Sequence, residues 1–161
     1  MDKLLSLLET NGRATPEELA DSLDVSVQEV KEKIKEYEEK GIIRGYKAVI
    51  NREKLERKDA PVNALIEVTT APEPDTGFEA VADEISELPE VHSCYLCSGD
   101  YDLLVRVQAD DMQEIAEFVA TELAPRKFIQ GTVSHFLLRT YKEDNVKFDG
   151  SLPDQRMSIS L

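Results

Sequence analysis

Little in this chain invites an enzyme reading. Its 161 residues include only two cysteines and two histidines. No phosphate-binding glycine loop, G-x-S-x-G or H-E-x-x-H motif occurs in the sequence. His92 and His135 fall on expected strands with no acidic neighbour at metal-ligand spacing, and a metal site draws three or four ligands from several elements. No catalytic residue, metal or cofactor is therefore expected. The cysteines, Cys94 and Cys97 in SCYLCS, have C-x-x-C spacing but no second ligand pair. On a strand, residues three apart point to opposite faces, so buried, inert thiols are expected. No apolar run is long enough to span a bilayer and the N-terminus lacks a signal-peptide core, which points to the cytoplasm and away from a membrane. Basic residues are scarce as well. There are 19 Lys/Arg against 33 Asp/Glu, a net charge of −14. By itself that balance argues against wrapping nucleic acid or docking on anionic lipid.

What is present is a foldable composition, 41% hydrophobic and 32% charged, enough to bury a core. The acid is unevenly spread. Residues 1–50 carry a net −3, residues 51–60 (NREKLERKDA) a net +1, and the remainder −12. Two unlike domains joined by a basic linker fit this pattern: 1–50, a linker at 51–60, a domain at 61–142 and a tail at 143–161.

The first domain is punctuated as three helices. DKLLSLLETNG carries leucines at helical spacing and stops at Asn11-Gly12. TPEELADSL opens with Thr15 as N-cap, Pro16 at the first helical position and Glu18 closing a capping box. A short turn, Asp24-Val25, leads to SVQEVKEKIKEYEEKG, where Ser26 and Glu29 form a second capping box and Gly41 ends the helix. This is a helix-turn-helix arrangement. IIRGYKAVI then predicts a small hairpin around Gly45 that would serve as a wing.

The second domain alternates. VNALIEVTTA reads as a strand, TGFEAVADEISEL as a helix opened by Thr76, and VHSCYLCS and YDLLVRVQA as strands meeting at Gly99-Asp100. DMQEIAEFVATEL is a second helix and IQGTVSHFLLRTYK a last strand. The order β-α-β-β-α-β predicts an α+β, ferredoxin-like sheet with both helices on one face. A partner subunit is the economical cover for the other face. The tail is polar and unpatterned apart from RMSISL, which could add an edge strand or arm.

In SGDYDLLVRV, Asp100 and Asp102 would share a strand face. The pair could serve acid/base work, a metal, an amine or a solvated turn.

Taken together, the helix-turn-helix followed by GIIRGYKAVIN, the SGDYDLLVRV turn, the DM that opens the next helix and the order of elements resemble the Lrp/AsnC (leucine-responsive, feast/famine) family of regulators. The resemblance spans roughly residues 2–142, and SGDYD is its most specific part. It implies a homodimer, often built into an octamer, that binds double-stranded DNA and responds to an amino acid. It also implies an effector pocket at a subunit interface. Carried over by position, that pocket draws on Gly99, Asp100, Tyr101 and Asp102, with Met112 and the last strand near His135 and Leu137 in regions that affect the response. An aspartate can accept from an ammonium in a charge-assisted bond. Main-chain N–H groups near Gly99 can meet a carboxylate, because glycine lets the backbone approach closely. The plainer alternative is that Asp100 supplies the turn, Asp102 is solvated or paired with Arg106, and Tyr101 packs in the sheet or an interface.

The resemblance meets a difficulty in the third helix. Val27, Val30, Ile34 and Tyr37 make its buried stripe. The opposite face carries Glu29, Glu32, Glu36 and Glu39, which would repel phosphates. Glu29–Lys33 and Glu36–Lys40 are spaced for ion pairs along the helix. Docking uses mainly the N-terminal end of such a helix, and helix N-termini attract phosphate. The candidate DNA contacts are therefore Ser26, Gln28, Lys31 and Lys35, with Arg44 and Lys47 on the wing and Arg52 and Lys54 beyond. The alternative is an amino-acid-sensing oligomer whose acidic helix binds a protein rather than DNA.

Overall fold

The computed structural model describes residues 2–56, 60–71 and 77–148. They divide into two compact units: the first 50 residues together with the chain from Lys142 onward, and Asn51–Tyr141.

In the first unit, α1 (Lys3–Thr10), α2 (Pro16–Leu23) and α3 (Val27–Glu39) form as expected. Both capping boxes close, at Thr15/Glu18 and Ser26/Glu29, each satisfying helix-start N–H groups that lack a partner within the helix. The turn between α2 and α3 depends on Asp24, which is left-handed at φ 54°. α3 ends through Gly41, at φ 67°. Gly41 N donates to Glu38 O and Ile42 N to Tyr37 O, the two bonds that satisfy the last carbonyls of a helix. Leu4, Leu19, Ala20, Val30 and Tyr37 make the core, with Val27 and Ile34 packed on it. The Tyr37 hydroxyl donates to Asp2 Oδ2 at 2.5 Å, tying the end of α3 to the cap of α1.

The hairpin expected around Gly45 does not form. Residues 43–50 carry no strand, and Gly45 lacks the positive φ on which a two-residue hairpin turn depends. A hairpin appears instead in the segment expected to be an unpatterned tail. β5 (Lys142–Glu143) pairs with β6 (Val146–Lys147) around Asp144 and Asn145, at φ 43° and 64°. Two left-handed residues in succession are what such a turn requires. RMSISL lies outside the described residues.

The second unit follows a short 3-10 turn at Arg52–Lys54. Its strands are β1 (Val62–Thr70), β2 (Val91–Leu96), β3 (Leu103–Ala109) and β4 (Ile129–Phe136). They form one antiparallel sheet in the order β2-β3-β1-β4. Alternate residues Ala64, Ile66, Val68, Leu103, Val105 and Val107 point inward. They meet Val81 and Ile85 of α4 (Gly77–Ser86) and Ile115 and Phe118 of α5 (Met112–Phe118), so both helices cover one face. The expected opening of α4 at Thr76 lies outside the described residues. α5 widens into a π turn at Val119–Leu123, where Ala124 N reaches back to Val119 O. The last strand ends at Phe136, six residues before the expected Lys142. Along the outer face Leu65 and Leu104 are half-buried, while Tyr95 and Val133 remain 56% and 53% exposed.

Candidate DNA-binding surface and effector turn

The start of α3 puts Ser26, Gln28 and Lys31 within its first turns, with Lys35 one turn further on. Several of these side chains already have partners. Ser26 Oγ accepts from Glu29 N at 3.2 Å and donates to Glu29 Oε2 at 2.7 Å. The Gln28 amide donates to Glu32 Oε1 at 2.8 Å, and Lys35 lies 3.7 Å from Glu39. Lys31 and Arg44 are exposed and make no ion pair among the described residues. Lys47 pairs with Asp144 of the C-terminal hairpin at 2.8 Å.

The acidic face is largely engaged along its own helix. Glu29 does not meet Lys33 as its spacing allowed; it turns back to Ser26, whose side-chain and backbone hydrogen bonds hold its carboxyl below the usual range. Lys33 reaches Glu36 at 2.8 Å instead, and its ammonium lies over the Tyr37 ring. Glu36 also accepts from Lys40 at 2.5 Å, and the two lysines hold its carboxyl down at about 2.

The SGDYD turn differs from its expected form. β2 ends at Leu96 and β3 begins at Leu103, so Asp100 and Asp102 sit in the connection and not on a strand. Cys97 N donates to Asp102 O at 2.8 Å, which closes the loop Ser98–Tyr101. Gly99 holds φ 140°, a conformation that suits glycine, and a Cβ built there would meet nothing within 4 Å. Asp100 is exposed at the tip. Asp102 is half-buried and pairs neither with Arg106 nor with solvent alone. Its Oδ2 accepts from Thr70 N at 2.6 Å and from Thr70 Oγ1 at 3.2 Å. Arg106 instead meets Asn63 Oδ1, at 3.3 Å from Nη2. Tyr101 is half-buried, and that burial is the main cause raising its phenol pKa.

Met112 and His135 stand apart from this loop. Met112 opens α5, 55% exposed, just past the N-cap Asp111. It lies beyond the far end of β3, which extends about 20 Å from the turn at a rise of ~3.3 Å per residue. His135 Nε2 lies 3.1 Å from Glu67 Oε1 across the outer face. The structure thus gathers Gly99, Asp100, Tyr101 and Asp102 at one sheet end, with Met112 near the other.

The thiols are half-buried rather than buried. Cys94 packs on the core, and its burial pushes the thiol pKa up, away from the reactive thiolate. No group of three His, Cys, Asp or Glu among the described residues could hold a metal ion. No helix among them is long and apolar enough to cross a membrane. Sequence reasoning missed three side-chain partners: Thr70 for Asp102, Asp2 for Tyr37 and Asp144 for Lys47. Only Asp144 had a visible signal, the Asp-Asn pair suited to a left-handed turn.

Comparison with known proteins places both units. Residues 63–146 match the Lrp/AsnC ligand binding domain, and residues 3–44 match a winged helix-turn-helix DNA-binding domain. The chain is 35% identical over 158 residues to the HTH-type transcriptional regulator YugG of Bacillus subtilis, described as uncharacterized, covering 98% of this chain and 95% of that protein. It is 30% identical over 143 residues to the leucine-responsive regulatory protein of Haemophilus influenzae, covering 89% and 84% of the two chains. Among solved structures, a transcriptional regulator of Neisseria meningitidis in complex with L-methionine superposes with a TM-score of 0.69 at 29% identity, covering 89% of this chain and 93% of that one. The ligand-binding match alone takes in more than half of the sequence, and this chain belongs to the Lrp/AsnC family of DNA-binding transcriptional regulators.

Proposed function

We propose that this regulator binds an amino acid at the Gly99–Asp102 turn, and that binding biases an assembly of its own copies and so changes its hold on DNA. The observation that carries the reading is the turn itself. Gly99 holds a positive φ with open space where a side chain would stand, and Asp100 next to it is exposed, so the turn offers main-chain N–H groups and a carboxylate at neighbouring positions. An amino acid needs both, since it presents a carboxylate and an ammonium together. That the Neisseria relative was solved with L-methionine supports this ligand class.

Assembly enters for two reasons. The outer sheet face leaves Tyr95 and Val133 exposed beside Leu65 and Leu104, and an apolar patch of this kind favours cover by a second copy. Met112 and His135 can join the turn in one response only if another copy brings them near, because Met112 stands about a strand length away within one chain. The dimer, an octamer built from it and the cytoplasmic location all belong to this reading. So do the modules at 1–50 and 61–142 with the linker at 51–60. On DNA, the start of α3 (Ser26, Gln28, Lys31), then Lys35, Arg44 and Lys47, supply the contacts. An effector that binds two quaternary states unequally shifts DNA affinity by that difference.

The test is fluorescence anisotropy with the gene's own upstream DNA, at low and moderate salt, with each of the twenty amino acids in turn. Salt-sensitive binding that one or a few amino acids shift is the expected result. Binding that no amino acid alters, with no heat of mixing for any of them, would overturn the effector assignment.

A further inference from the structure

The turn holds two carboxylates, and their surroundings differ. Asp102 is half-buried, and its hydrogen bonds among the described residues run to its own sheet. Its carboxylate accepts from Thr70 N and Oγ1, its N–H donates to Val68 O at 3.0 Å, and its carbonyl accepts from Cys97 N at 2.8 Å. Thr70, 8% exposed, is the buried polar residue at the end of β1, next to the irregularity where the pairing of β1 with β4 shifts register. The Thr70 N–H would otherwise be a buried donor without a strand partner, a costly state. Asp102 thus sits where β1, β2 and β3 converge, and a bond from a backbone N–H to a charged carboxylate is among the stronger kinds. Asp100, two residues earlier, is exposed and makes no hydrogen bond or ion pair among the described residues.

We infer that Asp102 is a positioning residue, clamping the Ser98–Tyr101 loop to the end of β1 through Thr70, and that Asp100 alone supplies the carboxylate for an ammonium. The inference rests on the amino-acid reading of this turn. It sharpens that reading by dividing two roles that the spacing alone assigned to both residues. A clamp needs an acceptor oxygen but no charge. An ammonium receptor needs the charge. Asparagine at 102 keeps the acceptor for Thr70 and removes the charge that Oδ1 would offer, so Asp102→Asn separates the roles where alanine cannot.

The experiment uses the full chain and its Asp102→Asn, Asp102→Ala and Asp100→Asn variants. Two readouts are taken: calorimetric titration with L-methionine and with every other amino acid that shifts wild-type DNA binding, and amide hydrogen exchange at Thr70 without ligand. The expected results are a Kd within threefold of wild type for Asp102→Asn, with Thr70 still protected. Asp102→Ala loses at least tenfold in affinity and exchanges the Thr70 amide at least tenfold faster. Asp100→Asn loses at least tenfold in affinity with Thr70 protection unchanged. If Asp102→Asn loses as much affinity as alanine while Thr70 stays protected, the ligand needs the charge at 102 and the inference is overturned. Unchanged Thr70 exchange in Asp102→Ala overturns it too. If wild type binds no amino acid, the effector reading fails, and Thr70 exchange across the 102 variants still decides whether the clamp exists.

Discussion

Replacing Lys31 with alanine tests one of the charges on which the proposed DNA contact rests. Among Lys31, Lys35, Arg44 and Lys47, Lys31 and Arg44 have no ion pair among the described residues, whereas Lys35 faces Glu39 and Lys47 faces Asp144. If only Lys31 and Arg44 meet phosphates, the proposed dimer makes about four contacts, and log K falls with log salt at a slope near −3.6. Between about 50 and 200 mM salt this loses roughly 150-fold in affinity. Recruiting Lys35 and Lys47 as well would double the contacts to about eight, steepening the slope to about −7 and the loss to roughly 20,000-fold. Alanine at 31 removes about two contacts per dimer, so its slope falls to about −1.8 and its loss over the same salt range to about 12-fold. The fold should be indifferent, because surface substitutions away from caps and cores stay within about 0.5 kcal/mol. The assay is anisotropy on one operator fragment at four or five salt concentrations, beside thermal unfolding of each variant. An unchanged slope for Lys31→Ala would refute the placement of the α3 start against phosphate. A wild-type slope near −7 that Lys35→Ala and Lys47→Ala both reduce would show that these lysines leave their carboxylates on binding.

Three further outcomes follow from named contacts. Ser26→Ala removes the N-cap of α3 and should cost about 1 kcal/mol, read as a lower urea midpoint; an unchanged midpoint would mean the cap adds nothing. Glu36 is held at about 2 by Lys33 and Lys40, and Glu29 is lowered by Ser26, both from 4.5. Because the folded values lie below the unfolded one, their stabilisation is intact above pH 4.5 and is lost as pH falls toward 2. Glu36→Gln should therefore flatten the dependence of the urea midpoint on pH within that window, modestly, since the group is exposed. Asp144→Asn should strengthen DNA binding a few-fold by removing the carboxylate that Lys47 meets at 2.8 Å, and should have no effect in a Lys47→Ala background. An equal gain in both backgrounds would mean simple repulsion by Asp144.

Elements set by short-range chemistry were legible in the sequence. Thr15/Glu18 and Ser26/Glu29 announced two helix starts, and both capping boxes close. VNALIEVTTA read as a strand, and β1 forms there with alternate residues Ala64, Ile66 and Val68 buried. The wing hairpin failed because a glycine permits a turn without compelling one, and nothing local pairs residues 43–50. Conversely, β5 and β6 are two residues each, too short for alternation to register. At the candidate site the sequence located the loop but not its wiring. Asp102 and Thr70 lie 32 positions apart, and no periodicity links a carboxylate to a strand-end amide at that separation. Arg106, the nearer and more obvious partner, meets Asn63 instead.

The acidic third helix is the feature hardest to square with DNA, and its hydrogen bonds narrow the difficulty. Glu29 is committed to the cap, Glu32 to Gln28, Glu36 to two lysines and Glu39 to Lys35. Carboxylates engaged in this way present less unbalanced charge to a phosphate than the bare sequence count suggests, yet they also occupy the cations that would otherwise release counterions. The same pairs that mute the repulsion thus mute the attraction. What is left per chain is Lys31, in the first turns of α3 near the N–H groups that begin it, and Arg44, near Gly41 past the other end of the helix. Two such cations make a weak binder, and in the proposed dimer, joining two sets at the spacing of a half-site pair turns the second contact into an intramolecular event. On the proposed reading, an effector need not touch the helices to regulate such a protein; altering how the copies are joined is enough, because each chain alone offers few free cations among its proposed contacts.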